Sequence, residues 1–147
     1  MPRRPGPNIV LDSVILVSAF LTRDGLAADL LLLCAQNATL CTAEAILQET
    51  RRVLLEKGHI RRKYAYDDRQ VERFIEYVRS TSSVVSNLPD IRAVRRDPKD
   101  DVILACAVAA PAEYLITRDP HLLALNAYEG VKILSPEDYI RISRAQS

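Results

Sequence analysis

Carboxylates bracket a segment that reads RDPKDDVILACAVAAPAEYLITRD, residues 96–119, with Asp97, Asp100 and Asp101 at its start and Asp119 at its end. Two more acids stand out by context. Asp12 follows the apolar run NIVL, and Glu49 is spaced three and four residues from Ile46 and Val53, inside an apolar stripe. An ionised carboxylate among apolar side chains is costly unless it has a hydrogen-bonded partner or a cation. Brought together, such acids repel, and some hold their protons above the ordinary range. One or two Mg2+ or Mn2+ ions make the arrangement favourable, since hard divalent cations take oxygen ligands and Mg2+ keeps several waters. A water on such an ion is more acidic and supplies a nucleophile, and the ions stabilise charge developing on a phosphodiester.

Plainer readings stay open beside that one. Asp97 suits a helix N-cap before Pro98, and Asp97 and Asp100 both suit the positive end of a helix. Glu49 could also reach water from the edge of its stripe. Other chemistries find little support. His59 and His121 are the only histidines, and neither a nucleophile elbow nor a Gly-rich phosphate loop occurs. His121 reads as a helix-start residue. No second Asp stands two residues after Asp12, which argues against an aspartyl-phosphate.

The elements that must position these acids follow from apolar patterning. NIVLD reads as a strand ending at Asp12, with a short helix after Ser13 and a second apolar helix, ADLLLLCAQ, after Gly25. TLCTA reads as a strand leading into a helix over about 43–57, on which Arg51 and Arg52 point away from Glu49. Gly58 closes that helix, and HIRRKYAY reads as a basic, Tyr-bearing loop, either a solvated linker or an RNA contact. DDRQVERFIEYVRSTS is an amphipathic helix with an Asp cap, and SVVSNL is a candidate strand. The helix opened by Asp97 and Pro98 is apolar or small from Val102 to Ala110, and Asp101 shares a face with Leu104, Ala105 and Val108. EYLIT is a buried strand, HLLALNAY a short helix, VKIL a strand, and SPED opens a capped helix.

Strands alternating with helices predict an α/β fold, a mostly parallel sheet with helices on both faces. Strand carboxyl ends form the rim where ligands bind in such sheets, which lets Asp12 and Asp119 emerge at one edge. Residues 1–147 read as one domain with 1–7 as a flexible tail. The net charge of +1 gives no bulk attraction to nucleic acid, so any such contact needs a local basic patch. Cys34, Cys41 and Cys106 lie in apolar segments without CxxC spacing, as expected of reduced cytoplasmic cysteines and not of a zinc site. No segment is apolar enough for a membrane span or a signal peptide.

The blocks VLDSVILVSAF, TAEAILQETRRVL, RDPKDDVILACAVAAPAEYLITRDPHLL and GVKILSPEDYI together resemble the PIN-domain nucleases, in particular VapC-like toxins of toxin-antitoxin pairs. The resemblance covers nearly the whole chain. It implies a three-layer α/β/α domain that cleaves RNA with Mg2+ or Mn2+, leaving a 5'-phosphate and a 3'-hydroxyl. Asp12, Glu49, Asp101 and Asp119 match the family's four acids, and Asp97 matches an accessory acid that can add a ligand. Thr117 matches a hydroxyl position, while Ser13 and Asp100 match supporting positions. Arg96 and Arg118 flank the acids and are candidate RNA phosphate contacts. A homodimer and a cognate antitoxin are the implied partners. Val14 stands where the family usually carries Asn, which leaves a second reading open: a catalytically impaired RNA- or partner-binding module.

Overall fold

The computed structural model describes residues 6–93 and 98–145. Strand β1 (Asn8–Leu11) leads through α1 (Ser13–Leu21) and α2 (Leu26–Asn37) to β2 (Thr39–Thr42), then α3 (Glu44–Glu56), α4 (Gly58–Lys63), α5 (Asp68–Thr81) and β3 (Ser83–Val84). The second half runs α6 (Pro98–Ala109), β4 (Tyr114–Ile116), α7 (Pro120–Leu123), β5 (Ala127–Tyr128), β6 (Val131–Leu134) and α8 (Pro136–Ala145). The strands form one sheet in the order β3-β2-β1-β4-β6-β5, parallel throughout except for β5.

Consecutive residues Ile9 and Val10 in β1, and Leu115 and Ile116 in β4, are all fully buried. Side chains alternate between sheet faces, so neighbours that are both buried mean helices on both sides. This is the three-layer α/β/α arrangement expected from the alternation of elements. The chain builds outward from β1 to β2 and β3, then returns past β1 to lay down β4 and β6. That reversal puts the topological switch point between the carboxyl ends of β1 and β4, where open α/β sheets bind ligands.

The amphipathic helix α5 buries Val71, Ile75 and Val78, and starts from a capping box: Gln70 N donates to Asp67 Oδ1 at 2.9 Å and Asp67 N to Gln70 Oε1 at 2.8 Å. Asp67→Ala is expected to lower stability by about 1 kcal/mol and Tm by ~3 °C, read in a thermal melt. An unchanged Tm would mean that the cap contributes nothing.

Three segments differ from the sequence expectation. HIRRKYAY is not a loop throughout: α3 stops at Glu56, and Gly58 opens α4 instead of closing the previous helix. Arg61 Nη1 donates to Leu55 O at 3.3 Å and to Asp68 Oδ1 at 2.7 Å, which ties α4 to both neighbours. HLLALNAY is split after Leu123, because Asn126 takes φ 60° and Ala127–Tyr128 pairs antiparallel with β6. Glu129 (φ 46°) and Gly130 (φ 85°) form that hairpin's tip, with the two positive φ angles that suit strand twist. Of SVVSNL, only Ser83–Val84 joins the sheet. The expected tail falls mostly on residues 1–5, outside the described residues; Pro7 O accepts from Thr39 N at 2.9 Å.

Candidate active site

Asp12 lies one residue past β1, and its backbone N donates to Ile116 O at 3.0 Å, continuing the ladder to β4. Thr117 lies one residue past β4. The shared register sets the two side chains together at the switch point, where Thr117 Oγ1 donates to Asp12 Oδ2 at 2.6 Å. Both are buried, Asp12 at 3% exposure and Thr117 at 0%. Ser13 Oγ donates to Asp12 Oδ1 at 3.3 Å. Thr117 Oγ1 also accepts from Asp119 N at 3.0 Å, so a single hydroxyl links both rim acids.

Burial pushes the Asp12 carboxyl above the usual Asp range; the Thr117 hydroxyl, the Val14 and Ser13 backbone N–H groups and the Ser13 hydroxyl pull it partly back. Those N–H groups act through proximity, since Asp12 makes no side-chain cap on α1. Among the described residues no Lys or Arg pairs with Asp12. The result is a desolvated carboxylate met only by neutral donors, which favours a cation.

The other acids are engaged differently. Asp119 Oδ1 accepts from His121 N at 2.8 Å and Leu122 N at 3.2 Å, capping α7. Glu49 is held by Arg52 in a two-pronged pair at 2.6 and 3.1 Å and by Lys99 Nζ at 3.2 Å. Those contacts, the Arg52 hydrogen bond first, lower its pKa. The expectation that Arg52 points away from Glu49 is therefore corrected: residues three apart on a helix are surface neighbours, and here they pair. Asp101 Oδ1 accepts from Ala93 N at 3.0 Å and is half-buried. The fully buried acid of α6 is Asp100, at 4% exposure. Arg118 pairs with Glu137 at 2.8 Å on the exposed surface, so its guanidinium has a partner before any phosphate arrives. Asp97 and Arg96 lie outside the described residues. Among the described residues no group of three or more His, Cys, Asp or Glu side chains stands together as a ready metal cage.

A family model described as a PIN domain matches residues 8–121, from β1 through the first residues of α7. The chain belongs to the PIN-domain family. PIN domains are generally nucleases, so the switch-point acids sit in a nuclease-type fold. Solved structures support the fold at low identity. VapBC2 from Rickettsia felis, bound to a DNA fragment from its promoter, matches with a TM-score of 0.57 and 16% identity over 86% of this chain and 96% of that one. PAE2754 from Pyrobaculum aerophilum matches at 0.56 and 17% identity over 94% and 90%, and the RRP44 PIN domain of T. brucei at 0.52 and 14% over 96% and 83%. No curated protein sequence matches the chain.

Sequence reasoning missed two cations at this PIN-domain edge. Arg52 was legible in principle from its i,i+3 spacing to Glu49. Lys99 was not, because its reach to Glu49 depends on how α3 and α6 pack across a separation of 50 residues. Among the described residues no helix is long and apolar enough to cross a membrane.

Proposed function

We propose that this PIN domain is a Mg2+- or Mn2+-dependent endoribonuclease. The observation that carries the reading is Asp12, buried at the β1–β4 switch point and joined through Thr117 to Asp119. PIN-domain nucleases typically use divalent metal ions, and the side chains of Asp12, Ser13, Thr117 and Asp119 offer only oxygen atoms as ligands, which suits a hard cation. Asp12 is the anchoring ligand. Burial favours Asp100 over Asp101 as the ligand contributed by α6, while Asp101 holds the chain at Ala93. Asp119 contributes through the carboxylate that caps α7. Glu49, held here by Arg52 and Lys99, would complete the set if it were released from them.

A divalent cation held there would neutralise phosphodiester charge and make a water more acidic for attack. The chain's own residues do the rest. Thr117 and Ser13 fix the rotation of the Asp12 carboxylate, and the buried switch point excludes bulk water. Lys99 and Arg52 balance the charge of Glu49. The likeness to VapBC2 supports the further reading of a toxin with a cognate antitoxin, and we extend it to a homodimer that acts on RNA in the cytoplasm.

A second reading, a PIN-fold module impaired in catalysis, is favoured by Val14, which is 52% exposed two residues after Asp12. One experiment separates the two. Purified protein is incubated with mixed single-stranded RNA in Mn2+, in Mg2+ and in EDTA. The nuclease reading expects metal-dependent fragments bearing a 5'-phosphate and a 3'-hydroxyl. No cutting by folded protein in either metal would leave the binding module.

A further inference from the structure

The arginine charges of this protein are unevenly neutralised. Arg51, Arg52, Arg61, Arg79, Arg92, Arg118 and Arg141 each pair with a carboxylate. Arg23, Arg62, Arg69 and Arg73 make no ion pair among the described residues. Arg23 and Arg73 come together where the end of α1 meets the start of α5, and Arg62 and Arg69 lie on the adjoining α4 and α5. With a net charge of only +1 over the whole chain, this is a local excess and not a general basicity.

A cavity of about 750 Å³ opens in that region. Arg23 and Arg73 line it against a single carboxylate, Asp24, together with Tyr64, Tyr66, Phe20 and Phe74. The rings form a connected set: Phe20 meets Tyr66 edge-on at 5.1 Å between centroids and Phe74 at 5.3 Å. Arg61 already stacks over Tyr66, 5.2 Å from its centroid, so this surface accommodates a planar cation on an aromatic face. Volumes of 300–1,000 Å³ suit a small-molecule or nucleotide-sized group. Aromatic rings beside guanidinium groups that outnumber the one carboxylate are what a single-stranded nucleic acid needs, since bases stack on the rings and phosphates meet the positive charge.

Connectivity ties the cavity to the candidate active site. Helix α1 starts directly after Asp12 and ends at the cavity's wall, and its 9 residues span about 13 Å at 1.5 Å per residue. We propose that this cavity is a second RNA contact, which takes an unpaired base of the strand a few nucleotides from the bond held at Asp12, with Arg23 and Arg73 on the adjoining phosphates. The proposal rests on the RNA-nuclease reading for its substrate class. It goes beyond that reading by placing strand recognition on α1, α4 and α5, away from the acids. An acidic peptide is the competing occupant, and the aromatic set favours RNA over it.

The test is fluorescence anisotropy with a short fluorescein-labelled single-stranded RNA of mixed sequence, in EDTA across a salt series, so that binding is read without cleavage. Arg23→Ala with Arg73→Ala is expected to raise Kd about 10-fold or more. It is also expected to flatten the slope of log Kd against log salt by about 1.4, at ~0.7 per lost phosphate contact. Tyr64→Ala, which leaves the Phe20, Tyr66 and Phe74 set intact, is expected to weaken binding about 5-fold or more by loss of stacking, with little change in slope. Arg141→Ala, in an exposed pair on α8, serves as the unaffected control. Unchanged Kd and slope in both cavity variants would overturn the proposal, as would polyglutamate displacing the RNA from the cavity at equal charge concentration. Failure of the wild type to cleave RNA, with the cavity variants still weakening binding, would sink the nuclease reading alone. Cleavage by the wild type, with unchanged binding in the variants, would sink this proposal alone.

Discussion

Asp12→Asn is expected to lower metal-dependent RNA cleavage about 10^3-fold or more, which corresponds to ~4 kcal/mol of lost transition-state stabilisation. The same change is expected to leave the metal-free protein at least as stable at neutral pH. Asn keeps the shape and an acceptor for Thr117 Oγ1, while it removes a charge that burial disfavours. The pH dependence gives a second handle. Burial raises the folded-state pKa of Asp12 above its ordinary value, so protonation favours the folded chain. That contribution is fully present below the ordinary Asp pKa and is lost as pH rises through the folded value. The wild type should therefore gain stability on mild acidification across this window, and the Asn variant should lack that gain. Mn2+ at neutral pH should stabilise the wild type and not the variant. Thermal melts across pH, with and without Mn2+, read all of this. A variant that melts well below the metal-free wild type at neutral pH would assign Asp12 a structural role instead.

Thr117→Val is the second large effect. Valine matches the shape of threonine but lacks the hydroxyl that donates to Asp12 Oδ2 and accepts from Asp119 N. Thr117 is fully buried, so water cannot replace those bonds. A part-buried N–H without its acceptor and a less supported carboxylate are expected to cost about 1–3 kcal/mol of stability. Losing the group that orients a ligand is expected to lower Mn2+ affinity and cleavage about 10- to 100-fold. The Asp12 pKa should also rise further, since the largest opposing influence is gone. Thr117→Ser keeps the oxygen and should recover most of the metal affinity. Recovery of stability without recovery of Mn2+ binding would show that Thr117 serves packing alone.

The rim of the sheet was legible in the sequence because it depends on local pattern. Apolar runs ending in Asp12 and Thr117-Arg118-Asp119 marked the ends of β1 and β4, and the alternation of elements made those strands parallel neighbours. The Asp cap of α5 was legible for the same reason, and the structure adds Gln70, which closes it into a capping box. The phase of α6 was not. The helical period put Asp101 on a face with Leu104, Ala105 and Val108, but Val102 to Ala110 is apolar or small on every side, so that period is a weak guide to which of Asp100 and Asp101 is the more buried. Packing leaves Asp100 the more buried of the two and gives Asp101 Oδ1 the Ala93 N–H. Helix α4 was hidden because GHIRRK offers no apolar face; contacts of Arg61 with Leu55 and Asp68 hold it. The pairs Arg118–Glu137 and Lys99–Glu49 join different elements, and no local pattern encodes which cation meets which acid.

A Mn2+ titration followed by electron paramagnetic resonance, on the wild type and on Asp12→Asn, bears most directly on the claim that Asp12 anchors a divalent cation. The account predicts saturable binding that quenches the signal of the free ion in the wild type and is lost in the variant. Equal binding by both proteins, or none by a folded wild type, would contradict it.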